Sequence, residues 1–542
     1  MPITVGEITV KSLIANKIDQ LYCLPGVQND DFFDVLYDNT HSIQPIHTRH
    51  EQGAAYMALG AAMATGKTQV FSVVPGPGFL NSTAALSTAY AVNAPVIALI
   101  GQIPLGAIGR GFGLLHEIPD QLSVLKSLTK YSDRIENAES AAKILTSAFS
   151  KVRSGRPRPV GVEVPVNVWN SKVDKFEGDL IGYPEQKPIV DLDKLETAIS
   201  ILNQSSRPVI VVGGGAQNYS SEVKLISDSL SAPVIIFRNG QGVMDGSSDL
   251  SVTLPAGREL WGKCDVVLAI GTRCQTAQMQ WGVDDNMKII HIDIDEEEIG
   301  RITSPFLGIN ADLVDVLPLL VKGLEGKEKK RDDWLRVIKE TKNKYFKLFK
   351  EKLSPQLAWL NAIRAELPKD GIFVDELTQV GYVSRFAFES YLPRTFLSTG
   401  YQGTLGWGLS SALGAAHARR DVPVVSISGD GGALYTISEL ATAARHKIPI
   451  TSVIFNDNAF GNVRRFQIEK YNNRPIASDL KSPNFALLAE SFGVKGVRAN
   501  TPAQLRSCLK SSFKSKEPTV IEVPVGDFPS PWDFILMQKI RG

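Results

Sequence analysis

Two carboxylates and the turns around them carry the clearest chemistry in this chain. Gly429-Asp430-Gly431-Gly432 follows the apolar run from Val422 to Ser428, and Asn456-Asp457-Asn458-Ala459 follows a second apolar run from Ile448 to Phe455. Each run reads as a buried strand. The segment between them, with Ile437, Leu440, Ala441 and Ala444 spaced onto one apolar face, reads as a helix. In a right-handed strand–helix–strand unit both strands finish on the same edge of the sheet, so Asp430 and Asp457 are expected to project into one crevice. Two carboxylates beside a glycine turn and a helix start suit a divalent cation and a diphosphate bound together. Magnesium takes few protein oxygens and shares phosphate oxygens readily. The N–H groups of the turn and the helix start attract phosphate. At this level the pair fits many nucleotide enzymes.

A second constellation is His47-Thr48-Arg49-His50-Glu51-Gln52-Gly53, just before an alanine-rich helical stretch. Read alone, Glu51 complements a helix dipole. A zinc-protease helix would need a second histidine where Ala54 stands, so that chemistry is excluded. Gly76-Pro77-Gly78 with Asn81 is a strand-to-helix turn able to press against a ligand. The two halves of the chain also echo one another. Ala58–Ala62 followed by Val70–Val74 matches Ala412–Ala416 followed by Val424–Ser428 in one ungapped register, and in that register Gly76 falls where Asp430 lies. Two related α/β domains are expected, of which only the second keeps the metal carboxylate.

The elements that must position these residues fall into three blocks. A length of 542 residues implies several domains. With 43% hydrophobic and 21% charged residues and a formal net charge of +1, no strong field exists to steer nucleic acid or a membrane surface. Cys23, Cys264, Cys274 and Cys508 are scattered without a CxxC pair and read as reduced thiols of a cytoplasmic protein. Neither a signal peptide nor a membrane span is expected. The first block alternates apolar runs (Leu21–Leu24, Val70–Val74, Pro95–Ile100) with helical stretches, and Asn170 to Pro188 reads as a linker. The second carries Pro208–Gly215, Asp265–Gly271 and Ile289–Asp295. It fades into the charged run Lys327–Asp333 and a helix reaching Lys352, read as a solvated connector. The third holds the two aspartates.

Together these motifs resemble the thiamine-diphosphate-dependent enzymes of the acetolactate synthase type, over nearly the whole chain. Gly429-Asp430-Gly431 with Asp457 is similar to that family's magnesium–diphosphate signature, although many members carry Asn at the Asp457 position. The resemblance implies thiamine diphosphate and Mg²⁺ as cofactors, with Asp430, Asp457 and the backbone carbonyl of Ala459 as metal ligands. It also places Gly26, Pro77, Asn81, Thr378, Gly431, Gly432 and Gly461 against the cofactor. Arg49-His50-Glu51-Gln52-Gly53 resembles the family's activating segment. Glu51 would bond the pyrimidine nitrogen opposite the amino group, favouring the imino tautomer whose nitrogen removes the thiazolium proton. Poor solvation would suit Glu51 to sharing that proton. Gly403-Thr404-Leu405-Gly406 resembles the turn that bends the cofactor, with the Gly403 carbonyl accepting from the amino group and Leu405 as an apolar wedge. The implied fold is three doubly wound α/β domains with mostly parallel sheets: 1–172 pyrimidine-binding, 189–325 central and 355–542 diphosphate-binding. In this family the cofactor lies between the first block of one subunit and the third of another. A homodimer is therefore the expected minimal active unit, assembled into a homotetramer.

The resemblance places Gly26-Val27-Gln28, Gln102, His116 and the stretch around Asn462 and Phe466 near the reacting carbon. His116 and Gln28 are catalytic candidates, and His116-Glu117 reads as a proton-transfer pair or, equally, as a histidine satisfying loop backbone. Acetolactate synthases carry glycine at the Val27 position, glutamine at His116 and tryptophan at Phe466. They also have an arginine soon after the Gly271-Thr272-Arg273 turn, where this chain has Cys274-Gln-Thr-Ala-Gln-Met279. These departures point to decarboxylation of a 2-oxo acid, with or without carboligation, ahead of acetolactate synthesis. The alternatives are a 2-hydroxyacyl lyase and a non-catalytic cofactor-binding paralogue. Gly213-Gly214-Gly215 and Ile292–Asp295 resemble the FAD- or ADP-holding turn and acidic strand end of some relatives. A nucleotide there is left open and not expected. The tail Phe528–Phe534 reads as anchored on the core, with a lid as the other reading.

Overall fold

The computed structural model describes residues 2–174, 178–326 and 329–542. Residues 175–177 of the expected linker, and Lys327 and Glu328 of the charged run, lie outside the described residues. The β-branched runs form three six-stranded parallel sheets, each flanked by helices. With both faces covered, such strands are apolar throughout rather than alternating. The first sheet runs, across its width, Gln44–His47, Gln20–Cys23, Gln69–Val73, Val96–Gln102, Val160–Pro165, Tyr131–Arg134. The third runs Phe396–Leu397, Ile372–Val374, Val424–Gly429, Ile450–Asn456, Thr519–Pro524, Lys495–Arg498. Numbered along the chain within each block, both have the order 2-1-3-4-6-5. The repeat seen in the sequence is thus a repeat of topology. The central sheet has the order 3-2-1-4-5-6, that of dinucleotide-binding folds.

In the first and third sheets the chain reverses direction across the sheet between strands 1 and 3, leaving a crevice at their carboxyl ends. Gly26 and Gln28 follow strand 1 of the first sheet, and Gly76 and Pro77 follow strand 3. Thr378 follows strand 1 of the third sheet and Asp430 follows strand 3. The strands Val424–Gly429 and Ile450–Asn456 are parallel neighbours, with Gly429 opposite Phe455, so Asp430 and Asp457 leave the sheet on one edge as expected.

The repeated alanine-rich segments are the helices Glu51–Thr65 and Trp407–Ala418, buried nearly all round. A helix with no polar face must be covered on all sides, and these two cover each other within one core shared by the first and third blocks. Their crossing is reciprocal. A Cβ on Gly60 would lie 1.8 Å from the Ser411 carbonyl oxygen, and one on Gly414 would lie 1.9 Å from the Met57 carbonyl oxygen. Backbone meets backbone there, which only glycine permits.

Three local expectations need correction. The helix expected after Asp430 is broken into a single turn Asp430–Ala433, a 3₁₀ turn Ile437–Glu439 and the short helix Leu440–His446. Of the expected stripe, Leu440 is buried and Ile437 and Ala444 pack against the same core, while Glu439, Thr442 and Ala443 are buried as well. The cause is tertiary: Glu439 turns inward to accept the Arg49 and His50 N–H groups. The linker begins as a strand, Lys172–Val173, paired antiparallel with Ile3–Thr4. The charged helix Asp332–Lys352 is solvated on one face only. Trp334 and Ile338 are buried, and Trp334 donates to the Pro208 carbonyl.

Candidate active site

Asp430 is buried at the start of its turn and accepts from the Ser482 hydroxyl at 2.5 Å. Asp457 lies against it. Burial, then the facing Asp430 carboxylate, push the Asp457 carboxyl up to about 7. Two crowded, partly desolvated carboxylates are a donor set that a hard divalent cation would relieve. The backbone after Asp457 is fixed by the Ala459 N–H donating to Asp457 Oδ1 at 3.2 Å. Bonds from Phe460 N to Ser478 O (2.8 Å) and from Leu480 N to Asn458 O (2.7 Å) bracket Ala459 on a short bridge to Asp479. Gly461 opens the next helix directly beneath the Asp457 carboxylate. Thr378 caps the helix Gln379–Ala387 through the Gly381 N–H, and its methyl group faces Gly429. Gly431 and Gly432 complete the turn.

Glu51 is the first residue of its helix, with His50 as the cap, and its side chain is 14% exposed. Asn81 donates to Glu51 Oε2 at 2.9 Å. Pro77 is the first residue of the helix carrying Asn81, set by the Gly76 turn, whose N–H donates to Gln121 at 2.8 Å. Gly26 approaches Val74 closely at the neighbouring strand end. Among the described residues no hydrogen bond or ion pair joins Glu51 and Asn81 to the Asp430–Asp457 pair.

His116 and Gln28 meet, with His116 Nδ1 3.1 Å from Gln28 Oε1. Gln28 is buried, and its Nε2 donates to the Leu115 carbonyl at 3.2 Å. That orientation makes Oε1 the acceptor for a His116 Nδ1–H and leaves Nε2 free of Gln28. Glu117 turns back to accept from the Leu114 N–H (2.8 Å), so the partner of His116 is Gln28. Gln102 is drawn away to the buried Glu163. Asn462 accepts from the Trp532 indole N–H at 2.9 Å, and the Phe466 ring lies 5.4 Å from the Trp532 ring. The tail is anchored beyond this point, with Phe534 buried and Arg541 ion-paired to Asp284.

Gly403 and Leu405 sit on the loop leading into the helix Trp407–Ala418, with Leu405 half-buried. Thr404 is tied to Thr88 of the Asn81 helix, their hydroxyls 3.0 Å apart. Sequence reasoning missed the residue that holds this loop from beneath. Glu376, 1% exposed, accepts the Gly406 N–H at 2.8 Å and the Gly408 N–H at 3.1 Å. Its only signal was an acidic pair, Asp375-Glu376, after a strand at the switch point. Ser482 was missed as well, being distant in sequence from Asp430.

A cavity of about 920 Å³ lies where the three blocks meet, lined by Gly213, Gly214 and Gly215 together with Arg238, Arg273, Arg385 and Arg394. Burial, then Arg385, push Arg238 down to about 10. The acidic strand end that would face a ribose is occupied by Arg156 of the first block, 3.4 Å from Asp295 and 3.0 Å from Glu298.

Models of protein families match all three blocks: the thiamine pyrophosphate enzyme N-terminal TPP-binding domain over residues 3–124, the central domain over 195–320 and the C-terminal TPP-binding domain over 378–523. A probable acetolactate synthase large subunit of Methanocaldococcus jannaschii is 33% identical, covering 96% of this chain and 91% of its own length. A probable 2-ketoarginine decarboxylase of Pseudomonas aeruginosa is 28% identical, covering 96% and 94%. The large subunit of acetolactate synthase isozyme 1 of Escherichia coli is 27% identical over the same shares.

Proposed function

Since the chain belongs to the thiamine pyrophosphate enzymes, we propose that it breaks or makes a carbon–carbon bond next to a carbonyl, with decarboxylation of a 2-oxo acid as the leading reaction. The observation that carries this reading is the Asp430–Asp457 pair, crowded together at a switch point and suited to a cation. Asp430, Asp457 and the Ala459 carbonyl would hold Mg²⁺, and the turn at Gly431 and Gly432 would take the diphosphate. When bound, thiamine diphosphate supplies a carbon nucleophile and an electron sink. Glu51 Oε1 would then share a proton with the pyrimidine while Asn81 holds Oε2. The Gly403 carbonyl and Leu405 would keep the cofactor bent. Gln28 orients His116, whose Nε2 is the atom placed to take or return a proton at a substrate oxygen.

Two observations favour decarboxylation. The stretch Cys274–Met279 offers no cation to a second acyl substrate, and one relative is named a 2-ketoarginine decarboxylase. A homodimer follows from the division of the site. Glu51 with Asn81 and Asp430 with Asp457 are separate half-sites, and each has exposed apolar residues close by in the chain: Val27 and Leu80 at one, Leu434 and Tyr435 at the other. Apolar patches of that kind mark an interface, and a second copy supplies the missing half; a homotetramer is two such dimers. The sheets support domains at 1–172, 189–325 and 355–542.

The test is a panel of 2-oxo acids and 2-hydroxyacyl compounds with thiamine diphosphate and Mg²⁺, following carbon dioxide and aldehyde. Carbon dioxide release that requires both cofactors is expected. Glu51→Gln should keep cofactor binding and lose roughly 10²–10⁴-fold in turnover, the scale of general acid–base catalysis. Asp457→Ala should lose Mg²⁺-dependent binding. Full activity in Glu51→Gln would sink the mechanism. Aldehyde without carbon dioxide would make the protein a lyase, and binding without turnover a non-catalytic paralogue.

A further inference from the structure

The carboxylate beneath the Leu405 loop has more than one neighbour. Glu376 follows the strand Ile372–Val374, whose parallel neighbour Val424–Gly429 ends at Asp430, so it stands on the other lip of the same crevice. Its Oε1 accepts the Gly406 N–H and its Oε2 the Gly408 N–H. The same carboxylate is pressed against the diphosphate turn: a Cβ on Gly432 would lie 2.0 Å from Oε1, and one on Gly408 would lie 2.5 Å from Oε2. Glycine is needed at both places because the carboxylate is there. A second tie joins the same two segments, from the Thr436 hydroxyl to the Gly406 carbonyl at 2.9 Å.

No cation compensates Glu376 among the described residues. Its bonds are to N–H groups at a helix start, its neighbour is Asp375, and burial pushes its carboxyl up to about 7. A buried carboxylate without a counter-charge costs stability relative to a neutral side chain of the same shape. Capping the start of the helix Trp407–Ala418 offsets part of that cost, but the cap does not require the close contact with Gly432 on the other turn.

We propose that Glu376 is a positioning residue that locks the Leu405 turn to the Asp430–Gly432 turn, so that the two ends of the bound cofactor are gripped in one fixed relation. The proposal rests on the reading of the site as a thiamine diphosphate site and deepens it. Asp430 and Asp457 take the diphosphate end, and Leu405 sets the angle between the rings. Only a rigid connection between the two turns makes occupancy of the first present the second correctly. Glu376 supplies that connection through two hydrogen bonds on one side and close packing on the other.

Glu376→Gln tests this, because it keeps the shape and removes one acceptor, leaving one of the two N–H groups facing an amide NH₂. Three measurements on the full-length protein suffice: the melting temperature without cofactor, calorimetric titration with thiamine diphosphate and Mg²⁺, and the rate at which the bound cofactor's thiazolium proton exchanges into D₂O. The cofactor-free variant should melt no more than a few degrees below the wild-type temperature at pH 8, because relief of the buried charge offsets the orphaned N–H. Its cofactor dissociation constant should rise, and its proton exchange at saturation should slow, each on the order of tenfold, a factor equivalent to one lost charge-assisted hydrogen bond. A purely structural brace would lower the melting temperature by more than that and leave exchange at saturation unchanged, and that result overturns the proposal. Thr436→Val removes the second tie without touching the carboxylate and should shift the same two quantities in the same direction by a smaller factor. If Glu376→Gln fails to fold, unchanged binding and exchange in Thr436→Val overturn the proposal by themselves. A wild type that binds no thiamine diphosphate overturns the functional reading as well, whereas a wild type that binds alongside an equally competent Glu376→Gln overturns this inference alone.

Discussion

At the scale of single residues, the site is a set of polar groups whose partners are mostly backbone or one another. Asn81 shows how little separates function from fold. Its side-chain amide bonds Glu51 from an exposed position, so Asn81→Ala removes one hydrogen bond of about 1 kcal/mol and no packing. We expect turnover to fall roughly five- to tenfold while the cofactor-free melting curve stays in place; parallel assays of rate and thermal unfolding check this. That Asp430 and Asp457 share one sheet edge was legible from strand–helix–strand spacing, whereas Glu51 and the Leu405 turn were singled out by resemblance to the family. Glu376 and Ser482 were not. A carboxylate that bonds backbone N–H groups thirty residues away leaves no local pattern, and neither does a serine reaching Asp430 across a loop. The pairing of His116 was half legible: both residues were singled out, but their bond depends on how two separate loops close.

Elements repeat the lesson at larger size. Strands buried on both faces were visible as apolar runs, and the parallel order of the sheets followed from alternation with helices. What the pattern hid was the break after Asp430 and the inward-facing Glu439 beside an otherwise apolar face. The helix Trp407–Ala418 carries a prediction of its own. His417, in its last turn, is 3% exposed, with Nδ1 3.0 Å from Gln20 Oε1, the Tyr22 ring edge-on, and Arg420 as its charged neighbour. Burial, then Arg420, push its pKa down to about 4. Above about pH 6.5 the imidazole is neutral in both folded and unfolded chains and contributes nothing. Between about 6.5 and 4 the unfolded chain takes up a proton that the folded one refuses, so stability falls as pH falls. By pH 5 the loss is about 2 kcal/mol. His417→Gln keeps a polar group against Gln20 and should lose correspondingly less between pH 7 and pH 5. Urea unfolding of both proteins at the two pH values measures the difference, and equal losses would refute it.

At the scale of the whole molecule, the chain is two copies of one topology joined by a third domain. The copies diverged by putting an aspartate on one switch point and a glycine on the other. The duplication was legible as an echo of eight identities between positions 58 and 76; the way the copies face each other was not, since it rests on the reciprocal glycine contact of two helices. That contact packs the helix carrying Glu51 and the helix after the Leu405 turn of one chain into a shared core, and under the proposed dimer the Glu51 and Asp430 halves of one chain serve different centres. A chain damaged at Glu51 then still lends a sound Asp430 half to its neighbour. Unfolding and refolding Glu51→Gln and Asp457→Ala proteins together in equal amounts should therefore recover about a quarter of wild-type activity, because half the dimers are mixed and each has one intact centre. Either protein alone should stay inactive. A mixture as inactive as its parts would place both halves of each centre in one chain. In genetic terms, if each centre is shared between subunits as proposed, two defective alleles would complement each other, and the fitness of one gene copy would depend on which other copy shares the cell.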